Sequence, residues 1–225
     1  LRAKDLTRQI LAFSHHRMWN RKPVRISPII SDSLKFMRAG IPTTVEIRQH
    51  ISCERDVVLA DPVQINQVLM NLCANASHAM KESGGVLEVS LENVELDKGS
   101  AAPHQDLNPG IYVKLSVRDT GHGIDPKNID LLFDPYFTTK GVGEGSGLGL
   151  SVVQGIVKIS GGAIRVESEV GKGSLFEVFL PCIEGEEEAQ AETTEQLLPT
   201  GTERILLVDD ESGLVRAYAI ELRSL

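Results

Sequence analysis

Between Val24 and Cys182 the apolar residues keep changing period, from the three-and-four spacing of a helix to the every-other spacing of a half-buried strand. That alternation constrains the fold more than any single motif, because each kind of element must bury its apolar side against another. Ser27 and Pro28 form an N-cap and first-turn pair, and Gly40 stops the helix they open. Thr43 to Ile51 and, more briefly, Val57 to Ala60 read as strands. Asp61, Pro62 and Gln64 supply cap, first turn and capping-box partner for a second helix. Its inward residues are Ile65, Val68, Leu69, Leu72, Ala76 and Met80, and Gly84 and Gly85 end it. Val86 to Val94 and Ile111 to Val117 alternate as strands around a polar hairpin excursion, Leu96 to Gly110. A third helix begins near Gly147 and runs to Ile159, ahead of two closing strands, Ala163 to Glu169 and Ser174 to Leu180. This order predicts an α+β fold, a two-layer α/β sandwich with a mixed, mostly antiparallel sheet and helices on one face.

The 225 residues suffice for one well-filled core and part of a second. They carry 23 Lys and Arg against 31 Asp and Glu, a net charge of -8, which argues against a nucleic-acid partner held by phosphate neutralisation. The imbalance is local. Residues 183–203 hold seven glutamates and no lysine or arginine and read as a solvated linker, leaving 24 acidic against 23 basic residues elsewhere. Cys53, Cys73 and Cys182 are far apart in sequence, with no CxxC pair, and read as buried thiols of a reducing compartment rather than a zinc site or disulfide frame. No apolar run reaches the length of a membrane span and the start lacks a signal-peptide pattern. The expectation is a cytoplasmic stretch without direct membrane contact, whose parent is free to be membrane-anchored.

The ends differ from the middle. Residues 1–22 place Leu6, Ile10 and Phe13 on one helical stripe that must pack on something, and Arg21, Lys22 and Pro23 end that helix. Residues 204–210, RILLVDD, read as a buried strand running into paired carboxylates, followed by a helical stretch with Leu214, Ala217, Tyr218 and Leu222. One strand and one helix cannot bury their own apolar faces, so 204–225 reads as the opening of a further domain.

Three short constellations carry chemistry. On the second helix Asn71, Asn75 and His78 share a face at i, i+4 and i+7, where amide oxygens suit magnesium and the imidazole suits phosphate; alone, they read more simply as the polar face of an ordinary helix. DTGHGID, Asp119 to Asp125, follows a strand: Gly121 and Gly123 let backbone approach a ligand, and Asp119 can accept from the exocyclic amine of adenine while repelling the oxygen of guanine. Alone, it is a common turn. GVGEGSGLGLS, Gly141 to Ser151, has five glycines in its first nine residues and runs into a helix, as a phosphate-cradling loop does. It is not a Walker A motif, which ends in Gly-Lys-Ser/Thr. Lys140 adds a charge just upstream, and FDPYFTTK, Phe133 to Lys140, offers aromatic anchors for a lid, although three aromatics in five residues are more often plain packing.

In this order and spacing the motifs resemble the ATP-binding domain of sensor histidine kinases, in the superfamily shared with gyrase, heat-shock chaperone and mismatch-repair ATPases, over roughly Pro23 to Cys182. NLCANA is similar to the family's N-box, DTGHGI to its G1 box, FDPYFTTK to its F-box, GSGLGLS to its G2 box, and GKGSLFEVFLP to its closing strand. The resemblance implies a Bergerat-type fold for 23–182 and a site for ATP with Mg2+. It implies Asn75 as magnesium ligand, Asn71, His78 and Lys140 as the catalytic set near the phosphates, and Asp119 on the adenine amine. It also implies Gly121, Gly123, Ile124, Phe133, Phe137 and Ser174 around the nucleotide, and Gly145, Ser146, Gly147, Leu148 and Gly149 in the lid.

Members that hydrolyse ATP place a glutamate general base four residues before the magnesium asparagine; here that position is Asn71, whose amide cannot accept the proton. The resemblance therefore implies a phosphotransferase and argues against the rival reading, an ATPase clamp. The intact motifs argue against a non-catalytic regulatory module. Residues 1–22 resemble the end of a dimerisation and histidine-phosphotransfer helix, with the acceptor histidine expected upstream of Leu1 and His15 and His16 as junction residues. Residues 204–225 resemble the start of a receiver domain, with Asp209 and Asp210 in its incomplete magnesium pocket. The expected parent is a homodimeric hybrid histidine kinase whose partners are its own histidine-phosphotransfer domain and a receiver or response regulator.

Overall fold

The computed structural model describes residues 21–97, 107–141 and 146–183. The N-terminal stripe with His15 and His16, Gly145, the linker beyond residue 183, and the 204–225 segment with Asp209 and Asp210 lie outside them.

The chain runs β1 (Lys22–Arg25), α1 (Ile26–Met37), β2 (Val45–Ser52), β3 (Val57–Ala60), α2 (Pro62–Ala79), β4 (Gly85–Leu96), β5 (Gly110–Asp119), α3 (Pro126–Ile129), α4 (Gly149–Ile159), β6 (Ala163–Glu169) and β7 (Gly173–Pro181). Five strands form one sheet in the order β2-β4-β5-β7-β6; β2 and β4 are parallel and every other neighbour is antiparallel. β1 and β3 pair antiparallel as a small separate ribbon. The expected mixed, mostly antiparallel sheet is present, with β1 and the one-turn α3 as additions.

Alternation shows which face of the sheet is covered. On β4 Leu87, Val89 and Leu91 are buried while Glu88 and Glu92 are exposed. The buried set continues through Val113, Leu115 and Val117 on β5 and Phe176, Val178 and Leu180 on β7, and packs with Ile30 and Leu34 of α1, Val68, Leu69 and Leu72 of α2, and Val153 and Val157 of α4. On the other face Lys114 reaches Glu92 at 2.7 Å and Glu177 at 3.4 Å, a cross-strand ion cluster suited to a wet surface. Every inward residue expected of α2 is buried, and Cys73 joins them. Asp61 caps that helix through Oδ1, which accepts from the Val63 N–H at 2.9 Å.

The expected Ser27 cap is corrected. α1 begins at Ile26, so Ser27 lies inside its first turn, and the N-cap residue Arg25 supplies no side-chain bond. The cap comes instead from 29 residues downstream: the Asp56 carbonyl accepts from the Ile26 N–H at 2.9 Å, and Asp56 Oδ2 accepts from the Ser27 N–H at 3.2 Å. Arg25 Nε donates to Asp56 Oδ1 at 3.0 Å, pairing a carboxylate side chain that is 2% exposed. The helix ends at Met37, before Gly40. The cysteine reading is corrected in part: Cys73 is buried, whereas Cys53 and Cys182 are half-buried.

Candidate functional site

The C-terminal half of α2, the end of β5, the loop after it, the approach to α4, and the start of β7 enclose a cavity of about 690 Å³, well within the range of small-ligand sites. Its wall includes Asn71, Asn75 and His78 from α2, so the shared helical face is turned into the cavity. Ala79, at the end of that helix, holds the next loop: its carbonyl accepts from the His122 N–H at 3.3 Å, and a Cβ on Gly121 would stand 2.7 Å from Ala79 atoms. Gly121 thus serves close packing of loop on helix and is not itself part of the wall.

Asp119 ends β5 on the cavity wall and is 5% exposed. Burial pushes its carboxyl above the ordinary carboxylate value, opposed by hydrogen bonds from the backbone of Gly121 and Ser174. The Gly121 N–H donates to Oδ1 at 2.9 Å. An ionised carboxylate has about four lone-pair sites, so acceptor capacity remains for a donor on a ligand. Ser174 stands opposite Asp119 in the β5/β7 register, and its hydroxyl lies 3.0 Å from that of Ser168, which also accepts from the Ile124 N–H at 2.9 Å. This chain of bonds fixes Gly123 and Ile124 against the β6/β7 hairpin.

The segment before α4 is tied at its base. The Tyr136 N–H donates to the Gly147 carbonyl at 2.9 Å. Both residues have positive φ, 69° at Tyr136 and 68° at Gly147, and a Cβ on Gly147 would strike the Tyr136 backbone. Tyr136 is a non-glycine residue held in a costly conformation where two ends of a loop meet. α4 then starts at Gly149 with no side-chain cap from Leu148, and Gly147, Gly149 and Leu150 line the cavity. An uncapped start of an 11-residue helix presents unpaired N–H groups and partial positive charge there. Gly149 also packs close to α2, since a Cβ there would lie 3.3 Å from Asn71 Oδ1.

Lys140 reaches across to α2, and its Nζ donates to Asn75 Oδ1 at 3.1 Å. The oxygen expected to bind magnesium therefore already attracts a cation. An amide oxygen is a hard donor and fits magnesium, but one protein oxygen is a small share of an octahedral shell. Among the described residues no three His, Cys, Asp or Glu side chains gather to hold a metal ion. The residues present fit an ion that arrives with phosphate oxygens rather than one held by protein alone.

Of the remaining expected residues, Ile124, Phe137, Ser146 and Ser174 line the cavity. Phe133 is half-buried but not part of the wall, where Leu132 stands instead. Leu148 is the N-cap of α4 and also outside it. The sequence reading missed Asn128, Val170 and Phe176 as wall residues. Asn128 lies just beyond the DTGHGID motif, and Val170 and Phe176 are brought in by strand pairing that no local signal announces.

Comparison with known proteins agrees with this geometry. Residues 60–184 match the family model "Histidine kinase-, DNA gyrase B-, and HSP90-like ATPase". The sensor kinase CckA of Brucella abortus is 36% identical over 225 residues, covering 95% of this chain and 23% of the relative; the sensor histidine kinase ZraS of Escherichia coli K12 is 42% identical over 159 residues, covering 70% and 30%. The chain thus spans about a quarter to a third of the length of these relatives. Among solved structures, the mycobacterial sensor histidine kinase MprB aligns with a TM-score of 0.57 at 26% identity, covering 73% of this chain and 99% of that one. Full-length ShkA in complex with AMPPNP aligns with a TM-score of 0.57 at 26% identity, covering 74% and 32%. With its mixed sheet, its helix-borne asparagines and its buried aspartate at the end of β5, the chain belongs to the family of histidine kinase-, DNA gyrase B- and HSP90-like ATPases, with sensor histidine kinases among its relatives.

Proposed function

We propose that the cavity binds ATP with Mg2+ and that, in the longer protein, this domain transfers the γ-phosphoryl group to a histidine on the dimerisation domain for relay to a receiver aspartate. The observation that carries the reading is Asp119, a buried carboxylate at a strand end on the wall of a cavity of nucleotide size. It accepts the exocyclic amine of adenine; the carbonyl oxygen of guanine at that place meets a like partial charge. The phosphates run toward the uncapped start of α4, with Gly147 and Gly149 admitting them close to backbone N–H groups. AMPPNP in the ShkA structure is an adenine nucleotide and supports the same choice of base.

Asn75 would hold the magnesium ion, which supplies neutralisation of charge on the β- and γ-phosphates. Lys140, now bonded to the same oxygen, is placed to pair with phosphate instead when nucleotide enters. Asn71 and His78 orient the phosphate end by hydrogen bonds. Catalysis rests on positioning and charge stabilisation, because phosphoryl transfer needs little covalent chemistry from the protein. With Asn71 in place of a carboxylate, that position supplies no general base to activate water, so the site holds ATP for another nucleophile. The partners proposed with this function are the histidine-phosphotransfer domain of the same parent, a receiver or response regulator, and a second copy of the parent in a cytoplasmic homodimer.

The test is the fate of the phosphoryl group. With ATP and magnesium, the protein should release inorganic phosphate slowly, and addition of the parent's dimerisation domain should place acid-labile, base-stable phosphate on that domain. Rapid phosphate release without any acceptor would contradict the assignment and favour an ATPase.

A further inference from the structure

Two of the three cysteines, 129 positions apart in sequence, meet at one backbone oxygen. Cys53 Sγ lies 3.5 Å from the Arg55 carbonyl oxygen and Cys182 Sγ lies 3.3 Å from the same atom, so the two sulfurs are no more than 6.8 Å apart. That oxygen also accepts from Asn93 Nδ2 at 2.8 Å, which gives it three donors for two lone pairs. Thiols are weak donors, and here they share an acceptor already taken by an amide, so little energy holds them in their present rotamers. Asn93 keeps the surrounding loop in place: its Oδ1 accepts from the N–H groups of Glu54 and Arg55 at 3.0 and 2.9 Å. Both cysteines are half-buried and open to small reagents, whereas Cys73 is fully enclosed in the core.

We propose that Cys53 and Cys182 are a modification site that closes to a reversible intramolecular disulfide in the presence of a small-molecule disulfide oxidant. The thiolate of one cysteine attacks a sulfur of the oxidant and expels one small thiol; the second cysteine attacks the resulting mixed disulfide and expels the other. One S–S bond forms in the protein and one is lost from the oxidant, the two protein sulfurs give up two electrons, and their two protons end on the two released thiols.

The position gives the bond a structural consequence. Cys182 is where β7 leaves the main sheet: its N–H donates to Ile111 O at 2.9 Å, it bridges to Val58 of β3, and the next N–H, of Ile183, donates to Val57 O at 3.1 Å. Cys53 opens the loop whose Asp56 caps α1. The disulfide would therefore fasten the α1 cap to the point where the chain leaves the sheet. It lies at the far end of β5 from Asp119, since Tyr112 pairs with Pro181 while Asp119 pairs with Ser174. Burial, the Asp56 carboxylate and the partner sulfur push the Cys53 thiol up to about 11, so the exchange is slow at neutral pH and the bond forms under sustained oxidation.

The test is incubation of the native protein with oxidised glutathione at mildly alkaline pH, alkylation of remaining thiols, and peptide mapping by mass spectrometry without reductant. The expected product is one chain lighter by two hydrogens, with the Cys53 and Cys182 peptides joined, Cys73 alkylated only after denaturation, and full reversal by dithiothreitol. Cys53→Ser and Cys182→Ser each form no internal cross-link. A wild type carrying glutathione on both cysteines of one molecule, or cross-linked only between chains, overturns the proposal.

Discussion

Asp119 and Asp56 are both buried carboxylates, and their surroundings push them in opposite directions. At Asp119 burial dominates and the carboxyl titrates above its ordinary value. A raised acid binds its proton more readily in the folded state, so its contribution favours the fold at low pH and is lost as pH rises through the raised value. In the proposed site the ionised carboxylate is the stronger acceptor for the adenine amine. Adenosine affinity should therefore fall on acidification at a higher pH than an ordinary aspartate would dictate, a change that a fluorescence or calorimetric titration across the acid range detects. At Asp56 burial acts the same way, but the hydrogen bonds from Ser27 and Arg25 outweigh it and the carboxyl is held below the ordinary value. Its stabilisation is present above the unfolded pKa and is lost as pH falls through the folded one. Asp56→Asn should cost about 2 kcal/mol at neutral pH, the scale of a charge-assisted hydrogen bond, and should flatten the acid limb of the stability curve in urea melts. Lys140→Met should weaken ATP about tenfold, again the scale of one charge-assisted contact, while leaving adenosine, which has no phosphate, unchanged.

Among the elements, α2 was the most legible in sequence and α1 the least at its start. α2 carries its own cap in Asp61 and its own apolar stripe, so local chemistry and tertiary packing agree. α1 begins at a residue with no capping side chain because the cap arrives from the β2/β3 loop, and a contact 29 residues away leaves no mark in a local pattern. Strand β1 escaped notice for a similar reason: four residues, KPVR, bury only Val24, and the pairing with β3 alone makes them a strand. The approach to α4 was legible as a glycine-rich loop, but the tie between Tyr136 and Gly147 was not. Gly147→Ala places a methyl against the Tyr136 backbone in a left-handed conformation. It should lower stability by about 1–3 kcal/mol and increase hydrogen exchange at the Tyr136 amide, with the sheet unaffected.

For the whole molecule, the two ends of the sheet have different tasks. One end gathers Asp119, the α2 amides and the start of α4 around the cavity; the other joins the β1/β3 ribbon to β7 and holds the two thiols. The motifs located the first end from sequence because each of them carries its chemistry within a few residues. The second end left no local signal because Cys53 and Cys182 come together only after β2, β4, β5 and β7 have assembled into one sheet. Likewise Phe133 was expected on the wall from its motif, whereas the turn places Leu132 there. The measurement that tests the account most directly is a calorimetric titration of ATP and GTP, each with magnesium, into the wild type and Asp119→Asn. The account predicts ATP binding with a Kd on the order of micromolar, at least about tenfold weaker in the variant, and little GTP binding in the wild type. Equal ATP affinity in both proteins would contradict it.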